Sequence, residues 1–166
     1  MANPAETVVF LRQVRVFRDI APQDLAALAA TLRETGLRKG QVLFREGDHG
    51  ETMYLVRRGT LIISKAVTGK VDQVLARFGP GEFFGEMALF DHAPRSATVQ
   101  ADTDATLLAL DRQHLEHLIE VNPRAAVEFF EALVHVFIDR LRATGELVAE
   151  VTRWGLEATG LDIEAR

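Results

Sequence analysis

The chain of 166 residues contains no cysteine. That single absence excludes disulfides, thiol catalysis, zinc–thiolate sites and iron–sulfur clusters, and it fits a reducing compartment. No apolar run approaches the roughly 20 residues that a membrane-spanning helix requires. Thr7 to Leu11 is apolar but short, and Arg12, Arg15 and Arg18 follow at once, so no secretory leader is expected. We therefore expect a cytoplasmic protein without a membrane partner. Internal repeats, low-complexity tracts and blocks of like charge are also missing. Basic residues are in deficit: 19 lysines and arginines face 24 aspartates and glutamates, a formal net charge of −5. An acidic balance argues against non-specific nucleic-acid binding, and no DNA partner is expected. What remains is ordinary globular material, 48% hydrophobic, enough for one domain with an appended helix.

The chain reads in three parts. From Pro4 to Phe17, the apolar residues Val8, Val9, Leu11, Val14 and Phe17 are close to helical spacing. Phe17 to Pro22 reads as a turn or a short 3₁₀ piece. Pro22 then starts a second helix with Leu25, Leu28, Ala29 and Leu32 on one face, and Gly36 is expected to stop it. From Leu37 to Leu110 short apolar runs alternate with turn signals. Gln41 to Phe44 precedes Glu46-Gly47-Asp48, Met53 to Val56 precedes Arg58-Gly59, Leu61 to Ile63 leads to Thr68-Gly69-Lys70, and Val74 to Phe78 ends at Gly79-Pro80-Gly81. Such spacing predicts an antiparallel barrel or sandwich, so the fold class is mainly β with flanking helices. A metal-binding cupin-like jelly roll would share this pattern. However, His49 and His92 fall in turns without partners at ligand spacing, so no metal is expected. Asp111 is expected to cap a helix to Glu120. His114 and His117 on it read as a solvated face, not a metal pair, and Asn122-Pro123 starts a further helix.

The stretch with the most chemistry is Phe84 to Val99, Phe-Gly-Glu-Met-Ala-Leu-Phe-Asp-His-Ala-Pro-Arg-Ser-Ala-Thr-Val. Gly85 lets backbone approach a ligand closely. Glu86 to Leu89 can form one helical turn, whose first N–H groups have no intrahelical partner and favour an anion. Arg95 supplies a permanently charged planar fork suited to phosphate oxygens. Ser96 adds a hydroxyl, and Ala97 an unobstructed N–H. Glu86 would be repelled by a phosphate and makes sense as an acceptor for a sugar hydroxyl. N–H groups, one arginine and one sugar-directed carboxylate fit a small sugar-phosphate ring.

This stretch closely resembles, without a gap, the F-G-E-x-A-L-x(4)-P-R-S/T/A-A-T-V signature of cyclic nucleotide-binding domains. The resemblance implies a cyclic nucleotide-binding β-roll, a jelly-roll-like barrel with N-terminal helices and a long C-terminal helix. It extends over about residues 10–150. It would place the helical lead-in at 1–35, the β-roll with its phosphate-binding cassette and a short following helix at 36–121, and a long lid or dimerisation helix and tail at 122–166. It also implies roles: Glu86 on the ribose 2′-hydroxyl, Arg95 on the cyclic phosphate, and Gly85, Met87, Ala88, Ser96 and Ala97 as further contacts. Gly47 and Gly59 resemble the turn glycines of that β-roll.

Beyond Pro123, Val127, Phe130, Val134, Phe137, Leu141, Thr144, Val148 and Val151 alternate steps of three and four. Such a heptad-like seam favours a partner helix, most simply that of a second copy. We expect a homodimer through the helix bearing Phe130, Phe137, Leu141 and Thr144. In catabolite-activator-type relatives this helix forms the dimer interface, and a threonine in an Arg-Leu-x-x-Thr-Ser-Glu run touches the purine. Arg140-Leu141-Arg142-Ala143-Thr144-Gly145-Glu146 resembles that run, with Thr144 at the base-contacting position and Gly145 in place of the serine. Gly145 weakens the helix locally, and Gly155 and Gly160 suggest its end. Trp154 is expected to be buried against the barrel or a partner, as lone tryptophans commonly are, with base capping the alternative.

Too little chain follows Val151 for a helix-turn-helix domain, so we expect a stand-alone cyclic nucleotide sensor, cyclic AMP favoured over cyclic GMP, that signals to an effector protein through its C-terminal helix. The base would pack on Val74 or Leu75 and be covered near Thr144. The alternative is a degenerate relative that dimerises without nucleotide. Glu86, Asp91 and His92 as acid–base groups would make an enzyme, but no nucleophile, metal set or cofactor motif accompanies them, and no enzymatic activity is expected.

Overall fold

A computed structural model describes residues 3–68 and 71–158. The expected turn at Gly69-Lys70 and the glycine at 160 lie outside the described residues. By their contacts the described residues fall into two compact units, the first ending at Phe129 and the second starting at Phe130.

The first unit opens with α1 (Pro4–Leu11), started by Pro4 and capped by the Asn3 side chain, which accepts from the N–H of Ala5 at 3.1 Å. The helix does not run on to Phe17 as the apolar spacing predicts. Tight i→i−3 bonds from Gln13 to Phe10 (2.8 Å) and from Val14 to Leu11 (2.9 Å) end it, and a 3₁₀ turn follows at Arg15–Phe17. The break turns more apolar side chains inward than one helical face can, so that Leu11, Val14, Val16, Phe17 and Ile20 are all buried. Helix α2 (Pro22–Thr31) starts at its proline and buries Leu25, Leu28 and Ala29 as predicted. Gly36 does not stop it. The chain turns extended at Leu32 (ψ 137), and Gly36 lies inside the first strand, opposite Thr106.

Eight antiparallel strands are described: β1 (Arg33–Leu37), β2 (Val42–Phe44), β3 (Thr52–Arg58), β4 (Leu61–Thr68), β5 (Val71–Phe78), β6 (Phe83–Phe84), β7 (Thr98–Ala101) and β8 (Ala105–Asp111). They form two four-stranded sheets, β1-β8-β3-β6 and β2-β7-β4-β5. Leu37, Val56, Leu61, Phe84, Val99, Ala101, Ala105 and Leu107 fill one core, with Phe44, Tyr54, Ile63 and Phe78 packed against it. In β8, Leu107, Leu108, Ala109 and Leu110 are buried in succession, so this strand is covered on both faces. Gly59 makes the turn before β4 with φ 82, and a Cβ there would lie 2.4 Å from the Asp104 carbonyl oxygen, so only glycine fits.

Helix α3 (Arg112–Val121) begins at Asp111, whose side chain accepts from the His114 N–H at 3.2 Å. His114 Nε2 lies 3.0 Å from the Thr31 carbonyl, which commits this histidine to joining α2 and α3. Asn122 caps α4 (Pro123–Ala158) by accepting from the Ala125 N–H at 3.1 Å. Phe129, near its start, stacks on Phe17 with ring centres 5.2 Å apart.

In the second unit α4 continues through Gly145 and Gly155 to Ala158, so Gly155 does not end the helix. Trp154 is not buried within this chain; it is 62% exposed. Leu133 and Val136 are buried, whereas Val134, Phe137, Leu141, Val148 and Val151 are exposed. The heptad-like stripe is therefore a separate face of α4 from the buried one. Among the described residues no helix is long and apolar enough to cross a membrane.

Candidate functional site

The site is built where β6 runs out. Tyr54↔Phe84 and Leu55↔Phe83 pair this short strand to β3, and at Gly85 the backbone swings into the left-handed region (φ 76, ψ 14). The 3₁₀ turn Glu86–Leu89 follows, closed by Ala88 N–H donating to the Gly85 carbonyl at 3.2 Å. Glu86 is buried to 4% exposure, Ala88 and Leu89 are buried beside it, and Met87 faces outward.

Past the turn the chain has no regular structure until β7, yet Arg95 is held closely. Its N–H donates to the Asp48 carbonyl at 2.8 Å, and its own carbonyl accepts from the Gly47 N–H at 2.9 Å. The β2–β3 connection thus clamps the Arg95 backbone from both sides. One step further, the Thr98 hydroxyl accepts from the Glu46 N–H at 3.0 Å.

The Arg95 side chain runs inward and is 8% exposed. Its Cζ stands 4.2 Å from the centre of the Phe44 ring, a cation–π contact. Phe44 belongs to an aromatic group with Tyr54 and Phe84, ring centres 5.7 to 6.2 Å apart. Burial pushes the Arg95 pKa down, while the charges of Tyr54 and Asp48 oppose that shift. A guanidinium stays charged even so. Two of its nitrogens, Nε and Nη1, are buried without a hydrogen-bond partner among the described residues. A desolvated cation with unused donors is costly unless an anion meets it.

Gly85 and Arg95 are brought together: a Cβ on Gly85 would lie 2.8 Å from Arg95 Nη1 and 3.1 Å from the Thr52 carbonyl oxygen. Ser96 is exposed and Ala97 half-buried, directly after Arg95. Val74 on β5 and Thr98 on β7 are both opposite Ser64 of β4, so the three form one cross-strand row leading from the cassette to the exposed Val74 and its neighbour Leu75. Thr144 lies in the second unit, exposed, with its hydroxyl donating to the Arg140 carbonyl at 2.8 Å. Sequence reasoning missed Phe44, Asp48 and Gly50 as neighbours of Arg95. The Glu46-Gly47-Asp48 turn signal was visible, but nothing local in it points to a distant arginine.

Two of the groups considered for acid–base chemistry lie in an exposed connection. Asp91 accepts from the Ala93 N–H at 3.3 Å, and exposed His92 lies 3.4 Å from the exposed Glu51 carboxylate. Among the described residues no cluster of three or more metal-ligating side chains occurs.

Fold and cassette together define a β-roll with a buried arginine whose Nε and Nη1 have no hydrogen-bond partner among the described residues. Residues 34–122 match the family model of the cyclic nucleotide-binding domain. The chain is 35% identical over 111 residues to the cyclic AMP receptor protein of Thermus thermophilus, covering 67% of this chain and 51% of that protein. It is 28% identical over 141 residues to a CRP-like cAMP-activated global transcriptional regulator of Mycobacterium tuberculosis, covering 85% of this chain and 61% of that one. The crystal structure of the N-terminal domain of a transcriptional regulator from Streptomyces coelicolor A3(2) superposes with a TM-score of 0.72 at 34% identity, covering 84% of this chain and 94% of that domain. This chain belongs to the cyclic nucleotide-binding domain family. It spans between half and two thirds of the length of these two curated relatives.

Proposed function

We propose that the chain is a cyclic nucleotide sensor in which Arg95 neutralises the cyclic phosphate and Glu86 accepts from the ribose 2′-hydroxyl. The observation that carries this is the buried Arg95 head, with Nε and Nη1 unpaired beside the bare Cα of Gly85. An anion there would supply acceptors that the described residues do not. The backbone around Gly85, Met87 and Ala88, together with Ser96 and Ala97, would complete the phosphate and sugar contacts. The base would lie along the row that ends at Val74 and Leu75, with Thr144 of α4 over it.

Cyclic AMP is the favoured ligand. Thr144 follows the catabolite-activator pattern, and two of the relatives are named for cyclic AMP. The ligand would favour the arrangement of α4 that completes its site, and it shifts the population only by its difference in affinity for the two arrangements. The exposed stripe of Val134, Phe137, Leu141, Val148 and Val151 supports a homodimer through α4 in the cytoplasm, with an effector protein reading the changed helix surface.

Calorimetric titration with cyclic AMP and cyclic GMP tests the reading. Saturable binding of one nucleotide is expected, weakened by about 2–5 kcal/mol in Arg95→Ala. Absence of binding, on folded protein free of co-purified nucleotide, would leave the α4 dimer module as the better account.

A further inference from the structure

A second concavity lies away from the cassette, between α2 and α3, with a volume of about 250 Å³. Its floor is apolar: Leu28 of α2 and Leu118 of α3 are buried, and Val121 adds an exposed apolar wall. Ala27 lines it with only a methyl group, where a larger residue would fill the space.

Two polar side chains of the lining are already committed. His114 Nε2 lies 3.0 Å from the Thr31 carbonyl, and its Nδ1 is 2.5 Å from the Asp111 carboxylate. Asn122 accepts from the Ala125 N–H at 3.1 Å. The His114 bond ties α3 to the end of α2, so the cleft is held open at a fixed helix spacing. The remaining polar side chains are not engaged. Gln23, Asp24 and His117 make no side-chain hydrogen bond or ion pair among the described residues. Asp24 is half-buried and is the one carboxylate of the lining, which contains no lysine or arginine.

A carboxylate beside an apolar floor is poorly solvated on that side, and a cation seated there gains from meeting it. An anion would be repelled. A wholly apolar molecule would cover the carboxylate without replacing its water. At a water's share of about 30 Å³ per position, the cleft holds roughly eight to ten non-hydrogen atoms. An apolar floor with a few polar groups around it is the usual make-up of a small-molecule site.

We propose that the α2–α3 cleft is a binding site for a small organic amine, with the ammonium group on Asp24 and the apolar body on Leu28 and Leu118. The site is separate from the cassette, and it stands or falls independently of the role given to Arg95.

The test is an NMR titration of the nucleotide-free chain with phenethylamine, and with phenethyl alcohol, which keeps the shape and lacks the charge. The amine should shift the methyl resonances of Ala27, Leu118 and Val121 saturably, with a Kd on the order of millimolar. The alcohol should bind about tenfold more weakly or worse. Asp24→Asn should weaken the amine by about tenfold or more and change the alcohol far less. Ala27→Leu fills the cleft and should abolish binding of both; Ala27 is exposed, so folding should be kept. Asp19→Asn removes an exposed carboxylate outside the cleft and should bind the amine as the wild type does.

That pattern, at urea midpoints close to the wild type, is the expected result. Resonances that stay unmoved at several times a millimolar amine concentration overturn the inference. Equal binding of amine and alcohol overturns it in favour of an apolar crevice without charge selection. A loss in Asp19→Asn equal to that in Asp24→Asn traces the attraction to the net charge of the chain and overturns it as well. So does a loss of affinity matched by destabilisation in both cleft variants, which would place these residues in the fold and not in a site.

Discussion

Arg95 is buried where two of its guanidinium nitrogens find no protein acceptor. In the absence of ligand this arrangement costs stability, since the Phe44 ring and the Asp48 charge offset the desolvation only in part. Arg95→Ala should therefore leave the nucleotide-free protein as stable as the wild type, or more so, in urea unfolding. A clear loss of stability would mean that the guanidinium serves the fold. Asp111 is a contrasting charged residue. Burial works to raise its pKa, but the His114 N–H, the His114 ring and Arg33 outweigh it and hold the carboxyl below the usual carboxylate range. A carboxyl with a folded-state pKa below its unfolded one contributes stability above the unfolded pKa, and this is lost as pH falls through the folded pKa. Asp111→Ala should cost about 1 kcal/mol at neutral pH and progressively less as the medium is acidified below the ordinary carboxylate pKa, read from denaturant midpoints across pH. The place of Arg95 in the cassette was legible in the sequence. Its clamp by Gly47 and Asp48 was not, because hydrogen bonds between segments remote in sequence leave no local trace.

The elements differ in how far local chemistry decides them. Pro22 and Asp111 start their helices where sequence alone places them, because a fixed φ and a side-chain acceptor act locally. The break after Leu11 is decided instead by burial of Val14, Val16 and Phe17, and a helical period of apolar residues does not reveal it. Gly36 shows the same limit: a glycine signals a stop only when φ turns positive, and here pairing with β8 takes it into a strand. Gly59 does carry the turn it was expected to. Gly59→Ala would set a Cβ against the Asp104 carbonyl in a left-handed conformation and should destabilise the fold by at least about 2 kcal/mol in urea unfolding. On α4, Leu141 is 74% exposed, so Leu141→Asp should leave folding intact. If α4 pairs with a second copy, the same substitution should weaken association in sedimentation equilibrium, because a charge would be buried at an apolar seam. Unchanged association would remove α4 as the dimer interface.

For the whole molecule, ligand binding and stability are one measurement. A nucleotide held only by the folded chain should stabilise it by about 2.7 kcal/mol at a concentration 100 times its Kd. The melting temperature should rise by several degrees with cyclic AMP, by less with cyclic GMP, and by a third or less of the wild-type shift in Arg95→Ala. Equal shifts for both nucleotides would remove the preference assigned through Thr144. The sequence by itself determined the fold class, the cassette and its arginine, because strand spacing, turn glycines and a contiguous ligand motif are all short-range patterns. Only the tertiary structure decided that the β2–β3 connection closes on Arg95, that Phe44 and Gly50 bound its head, and that the apolar stripe of α4 is exposed. Those facts depend on which distant segments meet, and in an antiparallel β-roll that is set by strand register across the two sheets, not by neighbours in the chain.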